Sequence, residues 1–303
     1  MMTLPDGYQA RVLPAHETPA FAGMTHPQHR AALASPSAVP VGLYADGLPV
    51  ALALATLDGA AQTAELLSIF CQASYRRRGL GTSLLALLED ELKARGGRSC
   101  SCVWSSGIAA AAAVERMLQK RGWSAPEPRM QLCTADERMM AAPFFHPPMY
   151  DRIQRALAGA EIFPWAEVTE ADRQSILRRQ EESPWIPADL VPTLHEAGLE
   201  PLTSVGVRIG GEVIGWMLTH RHSPLAIRYT CSFMRRDYAL RGGIIMLYRE
   251  VIWRQHAHLP AGTYGIWTVP LWHHEMAEFV RRRMMPYLRS FAVTQGSAKQ
   301  LAA

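Results

Sequence analysis

The stretch that most constrains this chain is Arg76-Arg77-Arg78-Gly79-Leu80-Gly81-Thr82, set between an apolar run, Leu66 to Cys71, and a helical run, Ser83 to Leu92. A strand that ends in a glycine-bearing turn and passes straight into a helix brings several backbone N–H groups to one point. The helix dipole adds partial positive charge there. Such a turn selects an anion with several oxygens, a diphosphate above all. The spacing is neither the dinucleotide fingerprint G-x-G-x-x-G nor the P-loop G-x-x-x-x-G-K-[ST].

The neighbouring elements narrow the reading. Upstream, Val41 to Tyr44 and Val50 to Thr56 are apolar runs joined by Ala45-Asp46-Gly47, the Asp-Gly signature of a hairpin turn. Downstream, Cys100 to Trp104 reads as a strand, and Ile108 to Arg121 as a helix with basic residues in its last turn and a stop at Gly122-Trp123. The motif Arg76-x-x-Gly79-x-Gly81, in the order hairpin, strand, turn, helix, strand, helix, resembles the acyl-CoA site of the GNAT superfamily of N-acyltransferases. The resemblance covers residues 8 to 134.

That resemblance implies an α/β fold, with a mixed, mostly antiparallel sheet flanked by helices. It implies acetyl-CoA or another acyl-CoA as co-substrate, its diphosphate held at Arg76, Arg77, Arg78, Gly79, Leu80, Gly81 and Thr82. The main chain of Phe70 and Cys71 would pair with the pantetheine arm and face the thioester. Glu65, eleven residues before Arg76 on the same strand, takes the position of the family's general base, although a solvated carboxylate at a strand edge accounts for it equally well. An acyl-cysteine route through Cys71 lacks a neighbouring base. The family's usual acid, a tyrosine four residues before the helix-ending glycine, is replaced by Leu118, and its asparagine is missing from Ser105-Ser106-Gly107, a run that reads first as loop and N-cap. A thiol pKa of about 8.5 still lets the sulfur leave as thiolate.

The second half repeats the first in degenerate form. An offset of 163 residues places Tyr75 on Tyr238, Arg78 on Arg241, Gly79 on Gly242, Leu84 on Leu247 and Val103-Trp104 on Ile266-Trp267. One further residue of offset places Val41-Gly42-Leu43 on Val205-Gly206-Val207 and Asp46-Gly47 on Gly210-Gly211. The chain therefore reads as two tandem GNAT-like domains. The expected division is a first domain over 1–138, a Pro-rich linker and short helix over 139–160, a degenerate domain over 161–295 and a tail over 296–303. The linker rests on the three prolines of residues 141–150, and a helix N-capped by Thr169 follows it. In the second copy Ala239, Ile244, Ile245 and Arg228 replace Arg76, Gly81, Thr82 and Glu65. β-Branched side chains would crowd close backbone approach by phosphate, so the second copy is expected to give structural support and acceptor-site walls rather than hold CoA in the usual way.

Composition bounds the partners. At 303 residues, two domains of roughly 150 are expected. With 31 basic against 27 acidic residues, the net charge of +4 does not mark a nucleic-acid binder. Five cysteines without a C-x-x-C pair argue against a disulfide framework and fit a reducing, cytoplasmic compartment. Cys100 and Cys102 share a strand face and read as buried. His220, His222, His273 and His274 lack a third ligand at metal spacing, so no metal is expected. Arg281-Arg282-Arg283 reads as a solvated helix end. No apolar run approaches the ~18 residues of a membrane span. The reading is an acyl-CoA-dependent N-acyltransferase acting on a primary amine of a small molecule or peptide, monomer or homodimer. Its alternatives are a non-catalytic acyl-CoA-binding module, and an acyltransferase using long-chain acyl-CoA or acyl carrier protein.

Overall fold

A computed structural model describes residues 7–301 of the chain. Residues 1–6 and 302–303, the outer ends of the first expected domain and of the expected tail, lie outside the described residues. The chain forms two compact units, Met1–Arg129 with Val293–Ala303, and Met130–Ala292. Each is a mixed, mostly antiparallel sheet flanked by helices.

Unit 1 contains strands β1 (Tyr8–Val12), β2 (Ala38–Ala45), β3 (Leu48–Asp58) and β4 (Thr63–Cys71), helix α1 (Leu80–Ala94), strand β5 (Ser99–Ser105) and helix α2 (Ala111–Lys120). β1 to β4 pair antiparallel in chain order, and β5 joins β4 in parallel. Asp46 and Gly47 sit at φ 48° and 77°, the positive pair that a two-residue hairpin turn requires. Along β3 the side chains alternate: Ala51, Ala53 and Ala55 pack with α1, while Leu52 and Leu54 pack with Phe21 and Leu33 on the other face. On α1, Leu80, Leu84, Leu85, Leu88 and Leu92 are buried, a stripe at helical spacing whose burial stabilises by about 2 kcal/mol per leucine. Helix α2 begins three residues later than Ile108, because Ala110 offers no capping side chain. The Ser105 hydroxyl accepts instead from Gly107 N–H (3.2 Å).

Unit 2 contains β6 (Glu127–Ala135), α3 (Met149–Ala156), β7 (Ala160–Pro164), α4 (Glu170–Glu182), β8 (Val205–Ile209), β9 (Glu212–Ser223), β10 (Ala226–Met234), α5 (Arg236–Ala239), α6 (Gly243–His258), β11 (Tyr264–Pro270) and α7 (His274–Phe279). The order of unit 1 recurs: β7 to β10 are antiparallel neighbours and β10 pairs β11 in parallel. Helix α4 opens on the capping box of Thr169 and Asp172, as its Thr-Glu-Ala-Asp sequence demands.

Two parts of the expected division are corrected. The residues expected as a tail, to Gln300, belong to a last strand, β12 (Ser290–Gln300), which pairs antiparallel with β5 from Thr294↔Ser105 to Gln300↔Ser99. Gly296 is required there, since a Cβ would lie 2.0 Å from Arg129 Nε. Meanwhile β6, which follows β5 and α2 in sequence, pairs with β11. Each unit is thus completed by the final strand of the other half of the sequence. The span 139–160 is no linker either: Met139, Ala142, Phe144 and Phe145 are buried in the core of unit 2. Its prolines interrupt regular hydrogen bonding, which leaves the aromatic side chains between them free to pack. Among the described residues no helix is long and apolar enough to cross a membrane.

Candidate functional site

In unit 1 the parallel pairing of β4 and β5 runs only from Thr63↔Ser99 to Leu66↔Cys102, after which the strands diverge into a V. A bulge at the same level, where Ser68 faces Leu54 but Leu66 faces Ala55, leaves Leu67 as the extra residue and bends β4 away. Beyond it, Gln72 N–H donates to Val50 O (3.0 Å). Alternation along an antiparallel pair then turns the main chain of Phe70 toward β3, and those of Ile69 and Cys71 toward the open side of the V. The main chain of Phe70 thus faces β3, and that of Ile69, which the sequence reading did not name, faces the V beside Cys71. The Phe70 ring packs on the face of Phe21 and Leu52, with the Arg76 guanidinium 5.9 Å from its centroid.

At the open end, a 3-10 turn over Ala73–Tyr75 leads to Arg77 at φ 62° and Gly79 at φ 79°, and α1 starts at Leu80. Among the described residues no acceptor takes the amides of residues 77 to 81. Arg76 N–H donates to Ala73 O (3.3 Å) and Thr82 N–H to Gly79 O (3.0 Å). Of the seven residues named for this turn, Arg77, Arg78, Gly79, Leu80 and Gly81 thus present main-chain donors, whereas Arg76 and Thr82 have only side chains to offer. Arg76 Nε donates to Cys71 O (2.8 Å), and Arg78 is braced by the Tyr8 hydroxyl (2.8 Å) and Ser74 O (3.1 Å). A Cβ on Gly79 would meet nothing within 4 Å, so the turn is open to close approach. A cavity of about 390 Å³ lies beside it, lined by Tyr8, Asp46, Ser74, Tyr75 and Arg78.

Glu65 stands one rung before the strands part, opposite Thr56 on β3 and Ser101 on β5. Its neighbours Ala64 and Leu66 are buried on the helix side, and Glu65 is exposed on the other. Trp104, at the end of β5, is buried, yet its indole Nε1 has no hydrogen-bond partner. In the sequence, the recurrence of Val103-Trp104 as Ile266-Trp267 marks this position. Leu118 is buried in the core with Leu84 and Trp123. Burial pushes the Cys71 thiol up against the pull of Arg76 and Arg78, and pushes Cys100 and Cys102 up to about 12; none is poised as a thiolate. His220 is held by Thr230 Oγ1 (2.8 Å) and Ala197 O (3.0 Å), and the described residues contain no group of three metal-ligating side chains. Arg281 pairs with Glu278 at 2.8 Å, and Arg282 pairs with the same carboxylate.

The equivalent turn in unit 2 is built differently. Gly242 keeps the left-handed conformation at φ 91°, but a Cβ there would lie 2.8 Å from Ile153 Cγ1 of α3. Arg241 and Gly242 donate their amides to Tyr238 O (3.1 Å) and Ala239 O (2.9 Å). The turn is covered by Ile153, and the amides equivalent to those of Arg78 and Gly79 are spent.

Residues 9–123 match the model of the Acetyltransferase (GNAT) family. Among solved structures, a tandem GNAT protein from the clavulanic acid biosynthesis pathway is similar over 98% of this chain and 99% of its own, at 12% identity and TM-score 0.64. A GCN5-related N-acetyltransferase from Sphaerobacter thermophilus is similar over 99% and 98%, at 15% identity and TM-score 0.62. The glucosamine N-acetyltransferase region of a fungal multi-domain GH3 β-N-acetylglucosaminidase is similar over 98% of this chain and 38% of that one, at 11% identity and TM-score 0.61. No curated protein matches the sequence.

Proposed function

We propose, from the match of residues 9–123 to the Acetyltransferase (GNAT) family and the tandem GNAT fold of the chain, that the protein is an N-acyltransferase whose unit 1 binds acetyl-CoA and transfers its acetyl group to a primary amine of a small molecule or peptide. One observation carries this reading: five consecutive main-chain amides without acceptors, on a turn bearing three arginines, at the mouth of a V between parallel strands. Oriented amides at a helix start suit a diphosphate, and the Arg76 and Arg77 guanidinium groups add charge-assisted donors.

When bound, acetyl-CoA supplies an acyl thioester; the rest is the work of the chain. The outward main-chain groups of Ile69 and Cys71 align the arm along β4. Glu65, where the V closes, takes the proton that the acceptor nitrogen loses as its bond to the acyl carbon forms and the carbon–sulfur bond breaks. With Leu118 buried in the core, the sulfur departs without a tyrosine donor, which its thiol pKa of about 8.5 permits.

Free-thiol release from acetyl-CoA in the presence of an amine library, with calorimetry of CoA binding, tests the reading. Neither thiol release nor CoA binding would reject it. Leu118 favours a second reading, a non-catalytic acyl-CoA-binding module, in which CoA binds but no amine turns over and Glu65→Gln matches wild type throughout. Turnover of long-chain acyl-CoA or carrier-bound acyl groups above acetyl-CoA would instead point to a longer donor.

A further inference from the structure

Unit 2 has its own V. β10 and β11 pair in parallel only from Ala226↔Tyr264 to Arg228↔Ile266. Beyond that they part around a cavity of about 940 Å³, whose walls include Tyr229, Phe233, Tyr248, Trp267 and Phe279. That volume lies in the range of drug-sized ligand sites, about 300–1,000 Å³. The turn that would receive a diphosphate is closed by Ile153, and its Arg241 and Gly242 amides are satisfied internally. Arg236 on the lining is offset by Asp189 and Glu275, which leaves no cationic clamp for phosphate.

Two polar atoms of this lining are unsatisfied. Trp267 is only 4% exposed and its indole Nε1–H has no acceptor. His273 Nε2 is also buried without a partner. The nearby Tyr229 hydroxyl does not serve, since it donates to Gln255 Oε1 (2.8 Å) while its ring stacks on Trp267 with centroids 5.5 Å apart. A buried donor left unpaired costs about 1–3 kcal/mol, and a ligand that brings an acceptor recovers it. Aromatic walls favour a ring, which gains offset or edge-on contacts beyond its buried area. Asp189 and Glu275 outnumber Arg236 on the lining, which disfavours an anion, and the aromatic walls disfavour burying an unpaired charge.

We propose that this cavity is a second binding site, taking an uncharged aromatic amide: its carbonyl oxygen accepts from Trp267 Nε1–H, its amide group meets His273, and no nucleotide diphosphate is bound there. The site is independent of acetyl transfer in unit 1.

The full chain would be titrated with 4-fluorobenzamide and N-acetyl-4-fluorophenylalaninamide by ¹⁹F NMR and calorimetry, with and without saturating CoA. At least one amide should bind with one-to-one stoichiometry and not be displaced by CoA. Trp267→Phe keeps the ring and removes the donor; it should weaken amide binding about fivefold, the worth of one neutral hydrogen bond, and leave CoA affinity unchanged. Ser232→Trp, which fills the cavity from β10, should abolish amide binding, and it carries the test if Trp267→Phe does not fold. Saturation by neither amide below millimolar concentration, equal affinity in both variants, or displacement by CoA would each overturn the proposal.

Discussion

Gly79→Ala and Gly242→Ala are the same substitution at equivalent points of the repeat, with different predicted costs. Both glycines occupy the left-handed region, at φ 79° and 91°, where an alanine costs about 1 kcal/mol in backbone strain. At Gly79 nothing lies within 4 Å of the new Cβ, so that is the whole cost to folding. At Gly242 the Cβ meets Ile153 Cγ1 at 2.8 Å and Cδ1 at 3.0 Å. Ile153 is buried among Tyr150, Leu157 and Met246 and cannot swing clear, so overpacking adds about 1–3 kcal/mol. Gly242→Ala should therefore destabilise unit 2 by about 2–4 kcal/mol. Urea unfolding followed by tryptophan fluorescence resolves this, since six of the eight tryptophans lie in unit 2. For CoA the order inverts: the Gly79 methyl intrudes where phosphate oxygens must approach main-chain amides, and CoA affinity should fall tenfold or more, the loss of one charge-assisted hydrogen bond of about 1.5 kcal/mol or above. Equal destabilisation by the two variants, or CoA binding lost in Gly242→Ala and kept in Gly79→Ala, would refute the assignment of the open turn to unit 1.

The remaining predictions concern the base, the last strand and acid stability. Glu65→Gln should lower turnover by about 10²–10⁴ with CoA affinity unchanged, as read by steady-state kinetics beside calorimetry; wild-type turnover would remove Glu65 from the reaction. The Glu89 carboxylate, buried in α1, is held by Arg121 (2.6 Å), Trp123 Nε1 (2.8 Å) and Lys299 of β12 (2.6 Å). Glu89→Gln should destabilise unit 1 by about 3 kcal/mol by stranding two cations, and deletion from residue 290 onward should unfold it, whereas a true tail would be dispensable. Burial raises the pKa of Asp172, but hydrogen bonds from Thr169 and Arg208 prevail and the net shift is downward. A depressed folded pKa gives stability that is complete above the unfolded value of about 3.9 and is lost as pH falls through the folded one. Urea midpoints measured between pH 5 and pH 2.5 should decline less steeply for Asp172→Asn than for wild type; parallel curves would remove Asp172 from the acid response.

Local chemistry was legible in the sequence, and pairing was not. Asp46-Gly47, the leucine stripe of α1 and the Thr169 cap each act within a few residues, so composition and spacing suffice to find them. The recurrence of Gly79 as Gly242 and of Trp104 as Trp267 exposed the tandem. The fate of residues 290–300 depended on which of two short strands lies beside β5, a choice made by contacts between distant parts of the sequence, including Lys299 with Glu89. The identity of the outward main-chain groups on β4 depended on hydrogen-bond phase: Phe70 and Ile69 are equally apolar, and only the Gln72–Val50 bond shows which faces the V. Likewise the seven-residue turn held no sign that its two end amides are consumed by the carbonyls of Ala73 and Gly79.

What closes the second turn is not the loss of its glycine. Gly242 remains and keeps the conformation of Gly79; the covering side chain, Ile153, comes from the segment whose prolines suggested a connector. The second obstacle lies within the turn itself, where the Arg241 and Gly242 amides bond to Tyr238 and Ala239, while in unit 1 the amides of residues 78 and 79 stay unpaired. These obstacles are separable. Ile153→Ala removes the cover but leaves the Arg241 and Gly242 amides spent, so CoA stoichiometry by calorimetry should stay at one per chain. A second coenzyme bound by that single variant would show that steric cover alone divides the two units, and that the internal hydrogen bonds of the turn yield readily to phosphate.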